Sequence, residues 1–294
     1  MRRALLVFLL FLGVLVSSYF ALEAFATAKI KEKLDRRLSK LPYAVSYSDI
    51  KYNLASNDLV LYDFTLNGNV FKLYLGKVVV DLPSTFRKKA FPPELHLIIK
   101  DGTLSVYFPI FDFLSDSPIR FNLAGGYSFH ENQLTGYLSS SLEGIGDFHT
   151  EFLLDNLSYT VMERFFEGRT TYRSIVNRAK LEYFKFTFKN RGLVEKFLNY
   201  AAKEEGTNVE SVKEELKNMV RKGFTDKSIY ERIGKPLEEF IDNPKCLSIE
   251  VKPKTPVGLK EIEKLLIKKP DILKVIDEFG IELKNCPNGR ASSF

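Results

Sequence analysis

The sequence holds no tryptophan, two cysteines and three histidines among its 294 residues. Two cysteines cannot staple a disulfide framework, and three scattered histidines leave little for a metal centre. His96, His130 and His149 never pair at i, i+4 about a carboxylate, so no helix-borne zinc site is expected. Nucleotide cradles are missing as well. Gly144-Ile145-Gly146 lacks the third glycine, the preceding buried strand and the following helix of a dinucleotide loop. Gly125-Gly126-Tyr127-Ser128 lacks nucleophile-elbow spacing. Glu204-Glu205 and Glu214-Glu215 sit beside Lys203, Lys213 and Lys217, the pattern of a solvated, ion-paired helix surface. No catalytic residue, metal or cofactor is therefore expected, and the chain reads as a non-enzyme.

Positive charge is present but confined. The net charge is +6, and residues 29–40 alone supply +4 of it through Lys29, Lys31, Lys33, Arg36, Arg37 and Lys40. A body so close to neutral lacks the electrostatic footprint that phosphate binding requires, which excludes nucleic acid as a partner.

Long apolar runs are rare, with one exception. Ala4 to Leu22 is uncharged and, at about 1.5 Å per residue in a helix, nearly covers a bilayer core of about 30 Å. This predicts a transmembrane anchor over residues 1–28, followed by a basic amphipathic helix or linker over 29–41. A signal peptide is the competing reading, since Ala24-Phe25-Ala26 and Ala26-Thr27-Ala28 both fit a cleavage site. The length of the run and the continuing helical stripe of Ile30, Leu34, Leu38 and Leu41 favour an uncleaved anchor. Counting Lys and Arg would leave the body in the cytoplasm, whereas a short basic N-terminus before one apolar run is how exported proteins begin. The favoured location is the inner membrane, single-pass, with the body on the periplasmic side. Lys29, Lys31, Lys33, Arg36, Arg37 and Lys40 then either touch anionic headgroups or form a solvated face.

The rest reads as α+β, with strands first and helices later. From 42 to 190 the apolar pattern has mostly period two, as in Asp58–Phe64, Val70–Leu75, Ile119–Phe129, Leu134–Leu142, Asp147–Leu154 and Lys180–Phe188. Lys100-Asp101-Gly102-Thr103, between Leu95–Ile99 and Leu104–Phe108, predicts a tight hairpin turn. Tyr159 to Arg178 follows neither period. Beyond 191 the period becomes helical over Gly192–Ala202, Val209–Val220, Ile229–Ile241, Leu259–Ile267 and Ile272–Phe279, with short strands at Cys246–Val251 and Ile281–Leu283. If these two strands pair antiparallel, Cys246 approaches Cys286 closely enough for a disulfide; two unrelated thiols are the alternative.

A family resemblance rests on the N-terminal third. A single span precedes Val45-Ser46-Tyr47-Ser48-Asp49-Ile50-Lys51-Tyr52, then Asn57–Leu66 and Phe71–Leu82, a strand ending in an apolar run and Asp. This resembles the opening of AsmA-like bacterial cell-envelope proteins. The resemblance implies an antiparallel sheet curved into a groove with an apolar inner face, and a role in lipid handling. The chain departs from that family in its shortness and its helical end, which favours a small groove over a membrane-spanning bridge.

The residues expected to line such a face are Phe64, Phe71, Leu73 and Leu75, with Phe184, Phe186 and Phe188 on the last long strand. Two readings stand: the C-terminal helices cover them as plain core, or they receive a lipid or another apolar ligand. A structural protein docking another envelope component is the alternative function.

Overall fold

The computed structural model describes residues 2–81, 92–106, 118–267 and 272–286, and within these the side chains of all but 2–17, 266, 267, 272 and 273. A long helix, α1 (Arg2–Leu38), opens the chain. Two short strands follow, β1 (Ala44–Ser46) and β2 (Asp49–Tyr52), then six long ones: β3 (Asp58–Asn67), β4 (Phe71–Asp81), β5 (Glu94–Val106), β6 (Ile119–His130), β7 (Gln133–Leu142) and β8 (Gly146–Asp155). Helices α2 (Tyr159–Phe166) and α3 (Tyr172–Arg178) occupy the stretch without clear period, and β9 (Lys180–Asn190) returns to the sheet. Next come α4 (Leu193–Glu204), α5 (Val209–Gly223), α6 (Lys227–Ile229), a π-helical turn (Tyr230–Gly234) and α7 (Lys235–Asp242). The described chain ends with β10 (Cys246–Val251), β11 (Val257–Gly258), α8 (Leu259–Ile267), α9 (Ile272–Glu278) and β12 (Ile281–Asn285).

Among the described residues all twelve strands form one curved antiparallel sheet, in the order β1-β3-β4-β5-β6-β7-β8-β9-β10-β12. β2 also pairs with β3, and β11 with β9. Neighbours in sequence are neighbours in space from β3 to β9, so nearly every backbone amide of the long strands finds a partner close by in the chain.

One expected turn is not a turn. β5 runs unbroken through Lys100-Asp101-Gly102-Thr103. Asp101 takes a left-handed conformation (φ 55°) inside the strand, and the register against β6 shifts between Ile99 and Gly102. Opposite Asp101 stands Gly76, and opposite Gly76 stands Asp63, itself at φ 49°. A Cβ on Gly76 would come within 3.0 Å of the Asp101 Cβ, so glycine is what lets the two strands meet there. Asp-Gly supplied the positive φ that the sequence suggested, but it was spent on a bulge. Asp63 is held by Tyr74 O–H (2.6 Å) and Ser48 O–H (2.7 Å), and these hydrogen bonds lower its carboxyl pKa. The residues expected at Tyr107 and Phe108 lie outside the described ones.

The transmembrane anchor is corrected. α1 passes through Ala4–Leu22, but among the described residues no helix is long and apolar enough to cross a membrane. The described part of α1 beyond that stretch is charged. Between Ser18 and Leu38 it carries Glu23, Lys29, Lys31, Glu32, Lys33, Asp35, Arg36 and Arg37, and each such charge is costly in hydrocarbon. This part of α1 is also docked on the protein: Thr27 Oγ1 accepts from Tyr52 N–H (3.1 Å) and Tyr19 Oη from Ala55 N–H (3.1 Å). Tyr47 O–H donates to Asp35, and burial with that carboxylate pushes the Tyr47 pKa to about 12. Side chains 4–17 of the expected span lie outside the described ones. The single-pass inner-membrane location rested on that span and loses its basis. Leu41 also leaves the expected stripe, because α1 ends at Leu38 and Leu41 is exposed.

Two apolar clusters join helices to the sheet and a third joins helix to helix. Leu134, Leu157, Ile175 and Ala179 join α2 and α3 to one corner of β6–β8. Ile229, Ile233 and Ile276 pack with Ile281 and Leu283 of β12. Leu198, Ala202 and Val212 hold α4 to α5. Asn208 caps α5 by accepting from Ser211 N–H (2.9 Å). Glu238 of α7, only 8% exposed, is satisfied by Arg221 of α5 and by Tyr230 O–H (2.8 Å).

β10 and β12 pair antiparallel, and Cys246 is bonded to Cys286 with Cα atoms 5.4 Å apart. The 40-residue separation makes this the clip on the last strand. Chain-entropy loss for a loop of that size is worth about 4 kcal/mol. The double variant Cys246→Ser/Cys286→Ser should therefore unfold in denaturant with a loss of roughly 2–4 kcal/mol; an unchanged midpoint would mean the clip constrains nothing. Gly146 gives a second test, since a Cβ there would lie 2.5 Å from the Phe188 ring and 2.7 Å from the Lys189 carbonyl. Gly146→Ala should cost about 1–3 kcal/mol, whereas Gly223→Ala, with nothing within 4 Å, should be neutral or mildly stabilising by thermal melt.

Candidate functional site

Strand pairing decides which side chains share a face, because directly opposed residues point the same way and alternate ones point apart. One row runs Phe64, Leu75, Gly102, Phe121, Leu142, Gly146 and Asn190 across β3 to β9. A second runs Tyr52, Leu59, Val80, Leu97, Gly125, Leu138, Thr150, Phe186, Ile249 and Leu283, from β2 to β12. Both lie on the same side of the sheet. The bulge at Asp63, Gly76 and Asp101 is what keeps them there, reversing the alternation of three strands along one line.

All seven residues singled out by sequence therefore fall on this apolar face, though not in one place. Phe64, Phe71, Leu73 and Leu75 belong to β3 and β4, while Phe184, Phe186 and Phe188 belong to β9, five or six strand spacings away, roughly 24–29 Å along the sheet. Their surroundings differ too. Phe188 is 9% exposed, stacks on Phe148 (4.9 Å between centroids) and meets Phe240 of α7 (6.2 Å). It is core under a helix. Phe184 and Phe186 sit between Phe152, Thr150, Val251 and Ile249 and are half-buried.

The β3–β5 part has a different cover. None of the three clusters that join helices to each other or to the sheet includes a residue of β3, β4 or β5 among the described residues. Leu59, Leu61, Val78, Val80, Leu97 and Ile99 are half-buried there by their sheet neighbours. Leu138, central in the long row, is 47% exposed, beside Gly125 whose missing side chain leaves the row shallow at that point. Glycines elsewhere on this face are roofed by rings: a Cβ on Gly102 would meet Phe121 at 2.5 Å, and one on Gly136 would meet Phe152 at 2.3 Å. Over β3–β7 the result is a band of Leu, Val, Ile and Phe. Near one end of it Tyr127 is buried enough to raise its hydroxyl pKa well above the ordinary value.

Sequence reasoning missed Leu59, Leu61, Val80, Leu97 and Leu138 as members of this band. Their alternation was visible, but which phase of each strand joins which phase of the next depends on the bulge and on pairing register. The six basic residues Lys29, Lys31, Lys33, Arg36, Arg37 and Lys40 are all exposed. Arg36 pairs with Glu32 (2.8 Å) and Lys29 lies 4.8 Å from the Phe25 ring centroid.

The opposite face is polar over β7–β12. Ser139, His149, Thr187, Ser248 and Lys284 form one row there, and Tyr137, Glu151, Lys185, Glu250 and Glu282 the next. Lys284 holds Glu282 (2.6 Å), which lowers the Glu282 pKa and raises that of Lys284. Among the described residues no group of His, Cys, Asp and Glu is placed to hold a metal ion.

No curated protein matches the chain. A family model described as "Uncharacterized protein" matches residues 139–285. The matched half begins in β7 and takes in β8–β12 and α2–α9, including Cys246 and ending one residue before Cys286, and leaves β1–β6 outside. The chain belongs to the family that this model describes, and the match covers the helix-covered half of its sheet.

Proposed function

We propose that the protein binds an elongated apolar ligand of the acyl-chain class, laid across the strands on the β3–β7 band of the apolar face. The observation that supports this most is the row Leu59, Val80, Leu97, Gly125, Leu138, which runs across five strands with half-exposed Leu138 at its end. Five strands span roughly 19 Å, the scale of a long acyl chain. Contiguous apolar surface of this kind is rarely left open without a use. Taking about 400 Å² of it from water would supply on the order of 10 kcal/mol before the cost of ordering the ligand. The AsmA-like resemblance of the N-terminal third leads to the same class of ligand, independently of the pairing argument.

The test is a titration of the full chain with a fluorescent 16-carbon fatty acid. Saturable binding is expected, and Leu138→Asp should weaken it tenfold or more while leaving the thermal midpoint within about 1 °C, because this side chain is already half in water. Equal binding by wild type and variant, or no saturable binding at all, would overturn the reading. A photocrosslinker at position 138 separates the alternative: a protein adduct in cells, with no lipid adduct, means the band is a docking surface.

A further inference from the structure

On the polar face, away from the band, three side chains from two neighbouring strands form a hydrogen-bonded relay. Ser139 Oγ lies 2.6 Å from His149 Nδ1, and His149 Nε2 lies 2.7 Å from Glu151 Oε1. Ser139 and His149 are direct cross-strand partners, and Glu151 follows His149 by two residues on the same face. The tautomer follows from the partners. A carboxylate only accepts, so the proton facing Glu151 sits on Nε2; in the neutral ring Nδ1 is then a lone pair, to which Ser139 O–H donates. A serine hydroxyl donating to an imidazole whose far nitrogen is held by a carboxylate is the arrangement that activates a nucleophile.

We propose that Ser139 is an activated serine that accepts acyl groups from small carboxylic esters, with His149 as general base and Glu151 as the positioning residue. Ser139 Oγ attacks the ester carbonyl carbon and its proton passes to Nδ1. The C–O bond to the leaving alcohol then breaks, the alcohol departs with that proton, and the acyl group remains on Oγ. Water, giving a proton to the same Nδ1, releases the carboxylic acid and restores the serine. Two features set the scale of this activity. Ser139 is only 4% exposed, so the acyl donor must be small. β7 lies between β6 and β8, and its amides are committed to those ladders, so β7 itself offers no backbone cradle for the oxyanion. The expected behaviour is stoichiometric acylation with slow turnover.

The small serine reagent methanesulfonyl fluoride reads this directly, since sulfur–oxygen bond formation expels fluoride and leaves a stable adduct. Intact mass and peptide mapping of the full chain should show one adduct, on Ser139. Ser141→Ala, on the same strand and face, should label like wild type. His149→Ala should label at least tenfold more slowly and recover in added imidazole, a rescue that a merely structural histidine would not give. Glu151→Gln should slow labelling several-fold with an unchanged melting temperature. An unlabelled wild-type chain, an adduct on another serine, or full-rate labelling of His149→Ala would each overturn the proposal, and the wild-type result stands whether or not a variant folds.

Discussion

The antiparallel ladder imposes a rule of parity on this molecule. Each long strand must present its apolar residues in the phase its neighbour has already chosen, or a whole strand of Leu and Phe turns to the wrong side. From β3 to β9 there is no crossover to reset the phase. An extra residue inserted in one strand must therefore be matched across the sheet. The line Asp63–Gly76–Asp101 shows how: two aspartates in left-handed conformations flank a glycine, and three strands reverse together. Asn122 Oδ1 accepts from Asp101 N–H (3.0 Å) where β6, which stays regular, absorbs the mismatch.

That rule divides the labour between faces. The apolar side is roofed by α2 and α3 at one corner and by α7 and α9 around β10 and β12, leaving the central band to its own neighbours. The polar side of β7–β12 carries hydroxyls and alternating charges whose contacts run between strands, as between Thr187 and Ser248 (3.2 Å) and between Lys284 and Glu250 (3.7 Å). An apolar ligand and a nucleophilic serine thus belong to opposite sides of one thin layer and do not compete for the same atoms.

Much of the sheet was legible because its signals are local. Period-two runs marked β6 to β9 to within a residue or two, and Cys246–Val251 was bounded correctly by the turn residues before it. The antiparallel pairing that brings Cys246 to Cys286 could be posed from sequence as a condition but needed the register to be met. Three things were not legible, each for a physical reason. Asp101-Gly102 has the same chemistry in a hairpin and in a bulge, and only the neighbouring Gly76 distinguishes them. Ala4–Leu22 reads as a span by its length and hydropathy; that the charged helix continuing it docks on β2 is a tertiary contact the sequence does not carry. Ser139 and His149 lie ten residues apart on different strands, so their contact exists only through the β7–β8 register; the sole local hint was Glu151, two places after His149 on the same face.

A meander whose strands pair in chain order has a further property. Each hairpin contacts only the pair before it and the pair after it, so a hairpin gained or lost by duplication or deletion would lengthen or shorten the layer by about 10 Å without disturbing the remainder. The helix-covered half that the family model matches would then act as a fixed terminus, and the strands before it as a ruler whose length sets the size of whatever lies upon it.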